Sequence, residues 1–276
     1  MPQVINTNIF ALNAQRNLNK TTASLQTAME RLSSGLRINR AKDDAAGLAI
    51  SDKMTAQIRG LNQAIRNVND GVGYVQTADG ALEEVTNSLQ RMRELAVQAS
   101  TGTVSSSAGA GGGTTDKGKL NLEFEALKES IDDILQDTKF NGVQVFGATV
   151  TIQSGTESGN EIEVSVADVQ SGLSGYDEDI STAAGAKAAL ALLDADLNAV
   201  ADARANAGAK QSQLESTARN LANVVENVSA ARSQILDADF AMETANLTRA
   251  QILQQSGAAI LAQANVVPQN VLSLLR

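Results

Sequence analysis

The chain has 276 residues, 43% hydrophobic but only 3% aromatic and without tryptophan. Its buried layers must therefore come from Leu, Ile, Val and Ala, which fill thin seams between helices more readily than a thick globule. Histidine and cysteine are absent, which removes the commonest general base, the thiolate nucleophile and the usual zinc ligands, and the net charge of −9 argues against a nucleic-acid partner, because counterion release needs a basic face.

The charge is uneven: up to Lys42, the cations Arg16, Lys20, Arg31, Arg37, Arg40 and Lys42 face the single acid Glu30. A basic end on an acidic molecule could meet acidic surface on a neighbouring copy, or simply be a solvated helix face. The opening stretch VINTNIFALNAQRNLNK is interrupted by Asn6, Asn8 and Asn13, so no cleaved secretory signal is expected. No segment approaches the roughly 20 apolar residues of a membrane span.

A first helical stripe through Leu25, Met29, Leu32 and Leu36 breaks at SSGLRINRAK. Asp43 and Asp44 then suit a helix N-terminus through capping and the dipole. Beyond them Ile58, Leu61, Ile65, Val68, Val72, Val75, Ala78, Leu82, Val85, Leu89, Met92, Ala96 and Ala99 follow steps of three and four, with one doubled three after Val75. A pattern sustained this long predicts a coiled-coil helix. Gly71, Gly73 and Gly80 each cost it about 1 kcal/mol relative to alanine, so packing partners must compensate. The stretch TGTVSSSAGAGGGTTDKGK has the composition of a flexible linker. Leu120, Phe124, Leu127, Ile131 and Ile134 make a shorter amphipathic helix, after which the period changes to two. NGVQVF, TVTIQ and EIEVSV alternate apolar and polar residues across Gly and Asn turns, as small antiparallel strands do. Helical periodicity returns near Ala183, with Leu214, Leu221, Val225, Val228 and Ile235. After a second break near LDADF, Leu253, Gly257, Ile260, Ala264, Val267, Val271 and Leu274 step by four and three.

These elements predict a mainly α fold: a long antiparallel coiled-coil helical rod with a small β-hairpin region at its tip, and paired N- and C-terminal helices. Five segments follow: an arm over 1–43, two helices and the hairpin over 44–170, a short connector over 171–182, a returning helix over 183–236, and a second arm over 237–276. Ile260 and Leu261 sit about 100° apart around a helix, as do Leu274 and Leu275, so the apolar arc exceeds what one partner covers. A self-contained terminal hairpin is one solution; burial between copies, in a heterologous contact that does not close, is the other. Asp43–Asp44, Asp132–Asp133 and Asp177–Asp179 are acidic clusters, as is Asp194 with Asp196, which lacks the twelve-residue Ca²⁺-loop pattern. They are read as caps and solvated faces, so no catalytic, cofactor-binding or metal-binding residue is expected and the protein is not expected to be an enzyme.

QVINTNIFALNAQRNLNKTTASLQTAMERLSSGLRINRAKDDAAGLAI resembles the amino-terminal end of bacterial flagellins, and RAQILQQSGAAILAQANVVPQNVLSLLR their carboxy-terminal end, with LQRMRELAVQA and FNGVQV similar between them. The resemblance implies an extracellular filament subunit for swimming, exported through the flagellum's own type III channel. Hook-filament junction proteins, which share weaker versions of these ends, are the alternative. The implied polymerisation residues are Ile5, Ile9, Leu12, Leu25, Met29, Leu32, Leu253, Ile260, Leu261, Val267, Val271, Leu272, Leu274 and Leu275. Implied partners are further copies of the chain, the filament cap, the junction proteins and an export chaperone, with neither nucleic acid nor membrane insertion. Host toll-like receptors of flagellin would read Arg91, Leu95 and Glu123, and cytosolic sensors the leucines Leu272, Leu274 and Leu275. The interval between hairpin and returning helix is short, so the outer domains of many flagellins would be missing here and the filament thin and smooth.

Overall fold

The computed structural model describes residues 7–105 and 115–274, with side chains described as far as Val266. Ile5 and Leu275 lie outside the described residues, as do the side chains of Val267, Val271, Leu272 and Leu274. Among the described residues five α-helices and four short strands follow in order: α1 Ile9–Ser34, α2 Ala45–Ser100, α3 Asp116–Asp137, β1 Lys139–Phe140, β2 Val143–Gln144, β3 Thr149–Gln153, β4 Glu161–Ser165, α4 Ala183–Leu236 and α5 Phe240–Leu274. They form two units, Met1–Ile58 with Glu226–Arg276, and Arg59–Val225.

In the first unit α1 and α5 pair antiparallel. The Asn8 carboxamide starts α1 by accepting the Ala11 N–H (3.1 Å) and donates to the Ala264 carbonyl (2.7 Å); at the other end Arg31 faces Glu243. The inward positions of α1 are Ala11, Ala14, Leu18, Thr21, Leu25, Ala28 and Leu32, and those of α5 are Glu243, Leu247, Ala250, Gln254, Gly257, Leu261 and Ala264. Each set alternates steps of three and four. The seam is narrow because many of these residues are small: a Cβ on Gly257 would come 3.2 Å from Leu18. The expected stripe is corrected here, since Met29, Leu253 and Ile260 point out of the seam. α1 ends at Gly35, a left-handed cap. The two sequence breaks then bind each other: the Arg37 N–H reaches the Leu236 carbonyl (2.7 Å) and the Ala238 N–H the Gly35 carbonyl (2.9 Å). Asp43 holds that turn by accepting the N–H groups of Asn39 and Arg40, and Asp44 caps α2 at Gly47.

The second unit is a helical core with strands laid against it. α2 and α4 run antiparallel, with Arg93 bonded to Asp194 (2.7 Å) and Arg204 to Asp79 (2.9 Å). Phe124, Ile131 and Leu135 of α3 join their core. The buried stripe of α2 passes through Ala64 and Gly71, with Ile65 and Val72 only partly buried. The doubled three expected after Val75 disappears, and the heptad runs unbroken from Leu61 to Ala99. Gly71 is the position where the β3–β4 hairpin closes on the helix: a Cβ there would lie 2.1 Å from the Ile152 side chain. α3 also begins earlier than the linker composition suggests, at Asp116, because the Thr115 hydroxyl accepts the Gly118 N–H (3.0 Å).

β1 and β2 pair antiparallel around Asn141–Gly142, both at positive φ as a two-residue hairpin turn requires. β3 and β4 pair from Thr149↔Ser165 to Gln153↔Glu161. The strands do not sit at a rod tip. α3 returns along α2, with Glu123 beside Arg91, and brings the hairpins back beside Asn67–Tyr74 of α2 and Lys210 of α4.

Candidate assembly and recognition surfaces

Half of the inward positions of the α1–α5 seam are small residues, and many of the large apolar side chains of these helices lie outside it. Ile9, Phe10, Leu12 and Met29 on α1, and Phe240, Met242, Ile252, Leu253, Ile260 and Val266 on α5, are each 43% or more exposed. Among the expected assembly residues, Leu25, Leu32 and Leu261 belong to the seam, whereas Ile9, Leu12, Met29, Leu253 and Ile260 face away from it. An apolar set this extensive on a free surface marks an interaction site.

The expected recognition residues Arg91, Leu95 and Glu123 meet on the α2–α3 face. Arg91 donates to Glu94 (2.9 Å) and, through two nitrogens, to Glu123 (2.9 and 2.8 Å). These carboxylates, Glu94 first, hold its pKa above the ordinary arginine value. Arg91 and Glu123 remain half exposed, but Leu95 is only 1% exposed and belongs to the core. A partner touching this face meets the ion pair first.

The segment after β4 is folded, and one residue holds it. Asp196, 1% exposed on α4, accepts N–H groups from Ser174 (3.0 Å), Gly175 (2.7 Å) and Tyr176 (3.1 Å). Gly175 lies so close to α4 that a Cβ would come 2.3 Å from the Leu193 nitrogen. From α3, Asp132 accepts the Tyr176 hydroxyl (3.2 Å) and the Gln170 amide (2.9 Å), and Lys128 pairs with Asp177 and stands over the Tyr176 ring. The Asp177 hydrogen bond raises the Lys128 pKa; burial, and then Asp132, raise that of Tyr176. In the sequence Asp194 and Asp196 look like one acidic pair, yet Asp194 is an exposed partner of Arg93 and Asp196 a buried anchor. The signal that separates them is periodic: Asp196 occupies a core step between Leu193 and Val200. Among the described residues no group of three or more acidic side chains converges as a metal site, and no helix is long and apolar enough to cross a membrane.

Two family matches cover most of the chain: residues 5–151 match the bacterial flagellin N-terminal helical region, and 190–275 the bacterial flagellin C-terminal helical region. Flagellin of Salmonella muenchen is 49% identical over 170 residues, 61% of this chain and 32% of that protein. Flagellin of Salmonella typhimurium is 49% identical over 168 residues, with 60% and 32% covered. The matched region thus spans about a third of the length of these relatives. A crystal structure of Bacillus cereus flagellin aligns with a TM-score of 0.49 at 29% identity, over 56% of this chain and 88% of that one. A flagellar hook-associated protein from Vibrio parahaemolyticus aligns with a TM-score of 0.60 over 71% of this chain and 100% of that one, at 12% identity, a likeness of fold alone. With both helical ends matched across more than half of its residues, this chain belongs to the bacterial flagellin family.

Proposed function

We propose that the chain is a structural subunit that polymerises with itself into a flagellar filament, the propeller for swimming. The observation that carries this is the row of large apolar residues outside the α1–α5 seam, which a lone subunit leaves in water and a neighbouring copy would bury. Family membership supports the same reading and favours it over a hook-filament junction protein. In this reading residues 1–43 and 237–276 form the inner tube, 44–170 and 183–236 the surrounding rod, and 171–182 a connector standing where longer flagellins carry outer domains. The subunit is extracellular, leaves the cell by the flagellar export route, and has a mechanical role, not a catalytic one. Its other partners are the export chaperone, the filament cap and the junction proteins.

Host sensing is a secondary role on the same scaffold. Arg91 and Glu123 offer a charged, half-exposed face to a toll-like receptor, while the depth of Leu95 supports a packing duty for that residue. Cytosolic sensors would read Leu272, Leu274 and Leu275 in the unassembled chain.

The deciding experiment replaces Leu253 and Ile260 by serine, outside the seam, and compares assembly by electron microscopy and sedimentation. Parent filaments and a variant that keeps its helix content but stays monomeric are expected. A variant that polymerises like the parent overturns the reading.

A further inference from the structure

One groove on the α1–α5 pair carries unbalanced charge. It holds about 520 Å³ and is lined by Lys20, Ser24, Thr27 and Arg31 of α1 and Glu243 and Arg249 of α5, among others. Three cations thus face one carboxylate. Glu243 is 8% exposed and reaches Arg31 only at 3.8 Å, longer than a hydrogen-bonded ion pair. Among the described residues the buried Arg31 Nε–H has no acceptor, and an unmet buried donor is costly. The hydroxyls of Thr21, Ser24 and Thr27 are turned back onto carbonyls of their own helix. The groove is therefore built to accept negative charge that the described residues of one copy do not bring to it.

The same unit presents a segment of complementary character. Between α4 and α5 the exposed acids Asp237 and Asp239 precede Phe240 and Met242, which are 57% and 63% exposed. Asp239 caps α5 by accepting the N–H groups of Ala241 and Met242; among the described residues Asp237 forms no ion pair. This segment cannot fold back into its own groove. Arg31 faces Glu243, so the segment lies near residue 34 of α1, and the groove centre near Ser24 is about 15 Å along the axis at 1.5 Å per residue.

We propose that the groove receives the Asp237–Met242 segment of a second copy of the chain, with Asp237 meeting Lys20 and Arg249, and Phe240 and Met242 covering Ala250 and Leu253. The proposal rests on the self-assembly reading and sharpens it. A contact between two different patches is heterologous, and one whose rotation does not close generates a filament. Single exposed ion pairs are weak, so the apolar pair supplies the burial and the charges fix the register.

Charge reversal tests this in the whole chain, with assembly driven by concentration and an excluded salt. Lys20→Glu with Arg249→Glu reverses the groove, and Asp237→Arg with Met242→Lys reverses the segment. Each pair alone is expected to raise the critical concentration about tenfold or more, with monomer helix content unchanged, and all four substitutions in one chain to restore assembly. The absence of cysteine adds a second readout: Ser24→Cys with Ala241→Cys in one chain should oxidise to a ladder of linked copies in filaments, the spacing within one copy being too long for a disulfide. Parent-like assembly of the reversed chains, or no rescue by the four-fold variant together with only unlinked monomer on the gel, overturns this contact and leaves the self-assembly reading standing. A parent chain that never polymerises overturns both.

Discussion

Replacing Asp196 by alanine leaves the N–H groups of Ser174, Gly175 and Tyr176 without an acceptor in a site where Gly175 is packed against the α4 backbone. A hydrogen bond to a charged acceptor contributes about 1.5–3 kcal/mol, and bonds to one carboxylate are not additive. Asp196→Ala should therefore cost about 3 to 5 kcal/mol, up to the point at which the connector opens by itself and caps the loss. Asp196→Asn is the sharper variant. One carboxylate oxygen serves Ser174 and the other serves both Gly175 and Tyr176, so an amide can satisfy one side only and turns its NH₂ against an N–H on the other. Its cost should fall in the range of about 1 to 3 kcal/mol. Urea unfolding followed by circular dichroism measures the global loss, and amide hydrogen exchange at residues 174–176 measures the local one. Two variants indistinguishable from the parent in unfolding, with unchanged exchange at those amides, would refute the anchoring role.

The chain has two tyrosines and no tryptophan, so alkaline absorbance reports both. Burial raises the pKa of Tyr74, whose hydroxyl donates to the Val145 carbonyl, and of Tyr176. A raised pKa means that the folded state holds its proton longer. The associated stability is complete below pH 10 and is lost as pH climbs through the folded values. Tyrosinate absorbance should appear later in pH than in urea, and coincident curves would contradict this. Gly175→Ala should destabilise because its Cβ would meet backbone, whereas Gly80→Ala and Gly208→Ala, with nothing within 4 Å, should each stabilise by up to about 1 kcal/mol through helix propensity; thermal melts read all three. Leu95→Ala should cost about 2 to 5 kcal/mol as a core deletion, while Arg91→Ala, at a half-exposed ion pair, should change stability little. If a flagellin receptor binds this face, its affinity should fall with Arg91→Ala at unchanged helix content, and an unchanged affinity would remove Arg91 from that role.

Much of the architecture was open to periodicity. Heptad steps mark α2, the two breaks sit at Gly35 and Asp237, and the Asn141–Gly142 pair announces its hairpin, because backbone preference and side-chain spacing are local quantities. Facing was less open. Ile65 and Val72 look like seam residues, but Ala64 and Gly71 take the buried steps, since the hairpin needs room that only a glycine leaves. Met29, Leu253 and Ile260 likewise look like partners across α1 and α5, but their neighbours Ala28, Gln254 and Leu261 take the inward steps and leave the three exposed. Arg91, Leu95 and Glu123 could be named from resemblance; that Arg91 and Glu123 bind each other and Leu95 lies in the core depends on how α3 returns along α2.

By itself, then, the sequence determined a helical, thin-seamed protein without thiol or imidazole chemistry, and the resemblance of its ends placed it among flagellins. Those properties follow from residue type and spacing alone. The tertiary structure decided which apolar residues remain in water, that Asp196 is an anchor and Asp194 a surface partner, and that among the described residues one groove sets three cations against a single carboxylate. Each of these depends on distances between segments far apart in the chain, and a one-dimensional pattern does not carry them.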